Sequence, residues 1–170
     1  GNNTGTHGGG IFCDNDSSPT IVNNFISQNN ANLGGGIYCN NSIPIIANNT
    51  IVGNTASFGG GVHCTYSSPV IVNTILWFNK AATGSQIWGT PKVACCNVQG
   101  GCPGIANIDA GPLLVDLAGN DLHLTWDSPC RDAGINHPLL PATDFDGDPR
   151  VRFGRVDIGA DEFANHLYRL

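Results

Sequence analysis

Short runs of β-branched and other apolar residues alternate with clusters of Gly, Asn, Ser, Pro and Asp along residues 1–103. Three of the runs, TIVNNFI, IIANNTI and VIVNTIL, each follow a proline, at Pro19, Pro44 and Pro69. Apolar runs this short, bounded by turn-forming residues, predict β-strands and tight turns. We therefore expect a chain built from many short strands.

These strands belong to a repeat whose prolines recur every 25 residues. Its clearest motif is a triple glycine, a β-branched residue, a variable residue and a cysteine, at 8–13, 34–39 and 59–64. A degraded fourth copy, GSQIWG, occupies 84–89. A fixed period of this length indicates a solenoid. Two asparagine series keep the same step: Asn23, Asn48 and Asn73, and Asn29, Asn54 and Asn79.

The repeat predicts the fold class and the division of the chain. Leucine-rich repeats need leucines at fixed spacing and helical repeats need long runs of helix formers, and the sequence has neither. We predict an all-β, right-handed parallel β-helix with an irregular C-terminal capping segment. Coils are expected near 1–27, 28–52, 53–77 and 78–103, and residues 104–170 are expected to form the final coils and the cap of the same domain.

Stacking of coils gives each repeated residue a structural role. Because strand side chains alternate between faces, we expect two inward series, Ile11, Ile37, Val62 and Ile87, and Cys13, Cys39 and Cys64. Three collinear thiols at coil spacing cannot surround one metal ion, so we interpret the cysteines as core residues. The repeated asparagines are expected at bends, where their amides bond along the stack.

A series of rings lies between the inward positions and is expected to point outward. This ring series consists of Phe12, Tyr38, His63 and Trp88, and we take its members as the candidate ligand-binding residues. An exposed apolar strip usually marks a contact. The strip is a platform for sugar rings, a face covered by the C-terminal segment, or a contact with another chain. Within GGGIYC, Tyr38 is the position that the repeat leaves free to vary.

The composition of the chain narrows the range of binding partners that we expect. The 170 residues carry a net charge of -6 and no basic run, which disfavours nucleic acid. No apolar run approaches the ~20 residues that a membrane-spanning helix needs. The first residue, Gly1, falls in the middle of a repeat, so we expect the chain to be part of a longer protein.

The C-terminal part carries the motifs NVQGG, NID-x-x-PL-x-VD, G-x-D-x-HL, SPC-x-DAG, D-x-DGDPR and VDIGADEF, in that order. With the GGGI-x-C and SSP-x-I-x-N repeats, they resemble bacterial right-handed parallel β-helix repeat proteins, many of them secreted or surface-anchored. The resemblance implies a β-helix and an extracellular or cell-surface location, and no single activity. The chain departs from the pattern at Gly111, where an acid is usual, and at Cys102, where an aromatic is usual.

Four cysteines lie outside the repeat and are disulfide candidates: Cys95, Cys96, Cys102 and Cys130. A strand and a turn would bring Cys102 close to Cys95 or Cys96. Cys130 either packs inside or supplies the alternative pairing. The odd total of seven cysteines leaves at least one free thiol unless one pairs between chains.

A run of alternating carboxylates, Asp144, Asp146 and Asp148, surrounds a glycine in the C-terminal part. It is similar to a calcium loop, although the distant acid and the helices of an EF-hand are missing. The other interpretation is a turn in an internal salt-bridge network, with Arg150 following directly. Calcium is thus the one cofactor that the sequence suggests, and the segment is expected to cap the β-helix.

Catalytic groups are scarce in the coils, because residues 1–79 contain no Lys or Arg and only two acids, Asp14 and Asp16. A lyase needs a base and a cation, and a glycosidase needs paired carboxylates. The sequence therefore favours a noncatalytic module of a secreted or cell-surface bacterial protein, for adhesion, carbohydrate binding or assembly.

Two alternatives to that function stay open. The chain is a fragment of a polysaccharide lyase or glycoside hydrolase with its active coils upstream, or it is a structural stalk. The expected partner is a polysaccharide or another protein chain. A second copy would bind through the N-terminal strand edge or through the ring series.

Overall fold

The protein is described by a computed structural model that covers residues 4–138 and 140–164. In this part of the chain eighteen strands form, numbered β1 to β18 in chain order, and no helix. The described residues therefore offer no helical segment of the length and hydropathy that a membrane span requires.

Four parallel sheets, each of four strands, contain β1 to β16. Sheet A consists of β1 (Thr4–His7), β5 (Asn30–Leu33), β9 (Thr55–Phe58) and β13 (Lys80–Thr83). Sheet B consists of β2 (Ile11–Cys13), β6 (Ile37–Asn40), β10 (Val62–Thr65) and β14 (Ile87–Trp88). Sheet C consists of β3 (Thr20–Val22), β7 (Ile45–Ala47), β11 (Val70–Val72) and β15 (Lys92–Ala94). Sheet D consists of β4 (Phe25–Ser27), β8 (Thr50–Val52), β12 (Ile75–Trp77) and β16 (Asn97–Val98). A separate antiparallel pair follows, β17 (Leu114–Asp116) and β18 (Asp121–Leu124).

The register of these sheets is the sequence repeat itself. Ile46 pairs with Ile21 on one side and with Ile71 on the other, and Cys64 pairs with Cys39. Each strand therefore lies beside its own equivalent in the next coil, at the spacing of neighbouring strands. The predicted all-β parallel solenoid is confirmed, with about four turns.

Each coil turns at corners that hold a residue in the left-handed backbone region. In the second coil these residues are Gly34, Asn41, Asn48 and Gly53, with φ of 64°, 46°, 51° and 65°. Glycine adopts this region without strain, and asparagine tolerates it better than most residues. The predicted placement of the Asn48 series at bends is thus confirmed.

The triple glycine serves close packing between coils. A Cβ added to Gly35 would lie 2.6 Å from the carbonyl oxygen of Gly60 in the next coil. Such an approach is too short for any side chain, so the triple-glycine motif forms a corner at which two coils pack closely.

The two predicted inward series fill the core. Cys13, Cys39 and Cys64 are buried, as are Ile37 and Val62 in the middle coils. The core continues through the inward residues of sheets C and D, such as Ile46, Ile51 and Ile71. Full burial of an aliphatic side chain contributes about 1.5–3 kcal/mol, so the core is the main source of stability.

Buried asparagines form a ladder through the coils. The side chain of Asn54 donates to Asn79 Oδ1 at 3.0 Å and to the carbonyl of Ile26 at 2.8 Å. Its Oδ1 accepts from the backbone and the side chain of Asn29, both at 3.0 Å. Because every polar atom of Asn54 has a partner, the ladder satisfies the buried corner backbone that a coil would otherwise leave unpaired.

The lateral segment, residues 111–138 and 140–164, lies along the outside of sheet D. It covers the outward side chains of Val52, Ile75 and Trp77, which are all buried. A second core results, to which the segment contributes Leu122, Leu124, Cys130 and Ile158. The irregular C-terminal segment predicted from the sequence is present, but its described residues from 111 onward cover a side of the stack and not its end.

Polar corner residues hold the lateral segment in place. Asn73 donates to the carbonyl of Ile135 and accepts from its amide, both at 2.9 Å, and the Asn73 carbonyl accepts from Gly159. In the first coil, Asn23 donates to the carbonyl of Thr143 at 2.6 Å. The segment therefore spans several coils, which explains why it lies against the side.

Arg150 is the central buried cation of the lateral segment, at 1% exposure. Its guanidinium donates to the carbonyls of Ala160, Asp157 and Gly159. Although burial lowers the pKa of Arg150, the nearby carboxylates of Glu162 and others oppose that shift. The predicted salt bridge of Arg150 is not formed directly within the described residues: its guanidinium bonds to main-chain oxygens, and the charges of the surrounding carboxylates act on it from further away.

Removal of one ladder rung tests the role of the buried asparagines. Asn54→Ala is expected to lower the free energy of unfolding by about 3 kcal/mol, because it leaves several buried polar groups unpaired. Urea unfolding followed by circular dichroism measures the loss. Asn30→Ala, at an exposed position of β5, is the control and should change stability by less than about 0.5 kcal/mol. Equal effects of the two substitutions would show that the ladder does not stabilise the coils.

Candidate functional site

The ring series occupies one position of sheet B, as the strand alternation predicts. Phe12, Tyr38, His63 and Trp88 lie in β2, β6, β10 and β14, and each pairs with the next in parallel register. Successive ring centroids are 5.2, 5.1 and 4.5 Å apart. Since this spacing is close to that of neighbouring strands, the stack of rings follows directly from the stack of coils.

Only the two ends of the ring series are open. Tyr38 and His63 are 6% and 3% exposed, whereas Phe12 and Trp88 are 49% and 37% exposed. His7 of β1 adds a ring at the first end, with centroids 6.0 Å from Phe12 and 5.3 Å from Tyr38. Tyr38, the position that varies in the motif, is thus covered by its neighbours. Trp88 is stacked on His63 on one face, and no further ring of the described residues covers its other face.

His63 is held in a fixed orientation inside this stack by both of its ring nitrogens. Its Nδ1 donates to the carbonyl of Phe58 at 3.1 Å, and its Nε2 accepts from the Thr65 hydroxyl at 3.0 Å. Burial lowers the pKa of His63. Both ring nitrogens are therefore used in packing, which leaves His63 without a free atom for proton transfer.

The C-terminal end of the solenoid is incomplete on one side. Sheets C and D are extended by isolated bridges, Ala94 with Ile105 and Asn97 with Ile108. Sheets A and B end at β13 and β14 within the described residues. Over this gap lies the end cleft, of about 700 Å³, whose lining includes Ser85, Gln86, Ile87, Val93, Gln99 and Cys102.

Ser85 and Gln86 stand where lower coils have glycine, and they close the last coil. Gln86 donates to the Asn79 carbonyl and to Gln99 Oε1, and it accepts from Asn79 Nδ2 at 2.8 Å. The Ser85 hydroxyl bonds with both the amide and the carbonyl of Ala81 at 3.4 Å. Gln86 thus completes the asparagine ladder. In the sequence, this end is visible only as a degraded repeat. The structure explains the change from Gly-Gly to Ser-Gln, because no further coil of the described residues packs against these two positions.

The four disulfide candidates are free thiols in this structure. Cys96 is fully buried. It continues a second ladder of side chains that runs through Asn24, Asn49 and Thr74, and its sulfur accepts from the amide of Thr74 at 3.4 Å. Burial raises the pKa of Cys96 to about 12 and that of Cys130 to about 11. Cys102 is half-buried in the end cleft, and its pairing with Cys95 or Cys96 stays a prediction.

The alternating carboxylates do not converge on one point. Asp144 is buried, and its oxygens accept from the amides of Asp146, Asp148 and Glu162 at 3.0, 2.8 and 2.9 Å. Asp146 points instead towards His123, with 2.9 Å between Oδ2 and Nε2. Asp144 therefore closes its own turn, and Asp146 takes part in a different cluster.

That cluster consists of His123, Asp146 and Asp161, whose potential ligand atoms all lie within 4.8 Å of one another. Asp121 bonds to the other ring nitrogen of His123. Burial raises the pKa of Asp161 to about 6. Burial lowers the pKa of His123, but the hydrogen bond with Asp121 and the charges of Asp161 and Asp146 outweigh it and raise the pKa. These side chains could hold a divalent cation, and a protonated His123 satisfies the same carboxylates without one.

Asp144→Ala distinguishes a structural turn from a calcium loop. We expect a loss of about 3 kcal/mol in the free energy of unfolding, because three backbone amides lose their acceptor. The loss should be the same with excess calcium and with excess EDTA, measured by thermal unfolding. Asp127→Ala removes an exposed carboxylate and is the matched control. A rise of the unfolding midpoint with calcium that occurs in the wild type and in Asp127→Ala but is lost in Asp144→Ala would contradict this assignment.

Comparison of the chain with protein-family models, with curated proteins and with solved structures gives no match. The function of this chain therefore has to be inferred from its own residues and geometry.

Proposed function

We propose that the chain is a noncatalytic carbohydrate-binding module of a secreted or cell-surface bacterial protein. The observation that carries the proposal is the position of Trp88 as the last ring of the ring series, where it is stacked on His63 and is 37% exposed. A sugar ring would occupy the place of the next rung. The extracellular location rests on the resemblance of the C-terminal motifs.

The end cleft beside Trp88 suits a ligand rich in hydroxyl groups. Gly89 lines the cleft directly after Trp88, and Ile87 directly before it. Apolar residues such as Val93 and Val98 lie beside amides such as Gln99 in the lining. Ligand sites commonly combine an apolar surface with a few polar groups that fix orientation.

The noncatalytic part of the proposal rests on the chemistry of the lining. Among the described residues, those that line the end cleft include no carboxylate and no imidazole. General acid–base catalysis of glycoside cleavage needs such groups within hydrogen-bond reach of the substrate. The cluster around His123 belongs to the lateral segment, and its His123 ring contacts Phe25 of sheet D.

Assembly through this end is disfavoured by Ser85 and Gln86. In the preceding coil, a Cβ added to Gly60 would lie 2.6 Å from the carbonyl oxygen of Ser85 in the coil above. A Cβ added to Gly61 would lie 2.5 Å from the carbonyl oxygen of Gln86. By the repeat, the real Cβ atoms of Ser85 and Gln86 occupy the corresponding space. A second copy cannot therefore stack here as a regular fifth coil, which leaves the end open to a small ligand.

Binding to a glycan array, with Trp88→Ala as the test variant, checks the proposal. We expect the wild-type protein to bind a set of glycans, and Trp88→Ala to weaken that binding about tenfold, the equivalent of losing one stacked ring. Trp88→Phe should keep most of the binding. Tyr66→Ala removes a ring that is 90% exposed on another corner and should change nothing.

Two results would overturn the proposed function. One is that the wild-type protein binds no glycan, or binds no better than Trp88→Ala, although circular dichroism shows that both proteins are folded. The other is release of reducing ends or unsaturated sugars from any bound polysaccharide, which would make the chain an enzyme.

A further inference from the structure

A row of unpaired backbone donors faces the end cleft. In the coil below, four successive amides, Gly59, Gly60, Gly61 and Val62, donate to carbonyls of the last coil at 2.9–3.3 Å. The same four positions of the last coil are residues 84–87, from Gly84 to Ile87. Within the described residues, their amides have no such acceptor.

A further protein coil does not supply the missing acceptors. Ser85 and Gln86 fill the space where its backbone would lie, and both line the end cleft. The row of amides is therefore left for a ligand that brings oxygen acceptors without needing the close approach of a strand. Consecutive backbone amides of this kind favour anionic acceptors, because charge-assisted hydrogen bonds are about twice as strong as neutral ones.

Positive charge is concentrated at the same end. The chain has two lysines, Lys80 and Lys92, and both lie in the last full coil. Each directly follows a residue that lines the end cleft, Asn79 and Pro91 respectively, and both lysines are exposed.

The lower coils lack these charges. The positions that correspond to Lys80 are Thr4, Asn30 and Thr55, and those that correspond to Lys92 are Thr20, Ile45 and Val70. The nearest acid in sequence to the lining is Asp109, whose carboxylate accepts from the amide of Gly100 at 3.1 Å. It offsets one of the two lysines, which leaves a net positive charge near the end cleft.

We propose that the end cleft recognises the carboxylate group of an acidic oligosaccharide. The amides of residues 84–87 donate hydrogen bonds to the carboxylate and to neighbouring hydroxyl oxygens, and Lys80 and Lys92 attract the negative charge. Trp88 holds a sugar ring on its open face. This inference rests on the proposed carbohydrate-binding function and names the class of sugar.

The experiment compares two probes, a β-1,4-linked trisaccharide of glucuronic acid and the matched trisaccharide of glucose, by calorimetry and by amide chemical shifts of labelled protein. The acidic trisaccharide should bind at least about tenfold more tightly, with an affinity that falls as salt is added. The amides of residues 84–87 should shift on binding, while those of residues 59–62, which are already paired, should not.

Charge variants separate recognition from folding. Lys80→Gln combined with Lys92→Gln should weaken binding of the acidic probe about tenfold and leave the neutral probe unchanged. Arg152→Gln removes one positive charge from the lateral segment and should leave both affinities unchanged. All three proteins should unfold at nearly the same temperature.

The outcomes distinguish this inference from the proposed function. Two results overturn the preference for an acidic sugar and leave carbohydrate binding intact. One is equal binding of the two probes, and the other is a loss of acidic-probe binding in Arg152→Gln as large as that in the double lysine variant. Shifts confined to amides outside residues 84–87 overturn the assignment to the end cleft. Failure of both probes, together with an empty glycan array, overturns both proposals.

Discussion

The structure depends on one repeated interaction, the backbone hydrogen bonding of each coil to its equivalent in the next. For that bonding to continue through four coils, the chain must return to the same place after each repeat, one strand spacing higher. Every repeated residue follows from this requirement. Left-handed corners demand Gly34 and Asn48, close approach demands Gly35, and the buried corner backbone demands the amide of Asn54.

The same requirement explains why the C-terminal end of the stack differs from its middle. Within the described residues, no coil approaches sheets A and B from above, so glycine is no longer needed and Ser85 and Gln86 appear. Their side chains bond to the carbonyls of Ala81 and Asn79, which face the end. The ring of Trp88 and the amides of residues 84–87 remain without a rung above them. This end therefore presents backbone amides that have no hydrogen-bond acceptor among the described residues.

Much of the fold follows from the sequence because its information is periodic. A step of 25 residues fixes which strands are neighbours, and the alternation of faces fixes that Cys39 is inside. The outward course of the ring series also follows from alternation. The exposure of each ring does not follow from the alternation, because Tyr38 and His63 become buried only when the coils stack.

The lateral segment could not be predicted in the same way, because it does not repeat. Its position depends on contacts between residues far apart in sequence, such as Asn23 with Thr143. The motif around Asp144 indicates calcium when only spacing is considered, whereas the fold supplies backbone amides to its carboxylate. In the candidate site, the sequence identified Trp88 but not the end cleft, because the cleft is created by the absence of the next coil.

Native-state hydrogen exchange tests the central claim, that the coil-to-coil bonding of sheets A and B ends at the fourth coil. In the ligand-free protein, the amides of residues 59–62 should be strongly protected, because they are bonded to the last coil. The amides of residues 84–87 should exchange nearly as fast as in an unstructured peptide. Equal, strong protection of both groups would show that something covers the end of the stack, and it would contradict the account of the end cleft as a binding site.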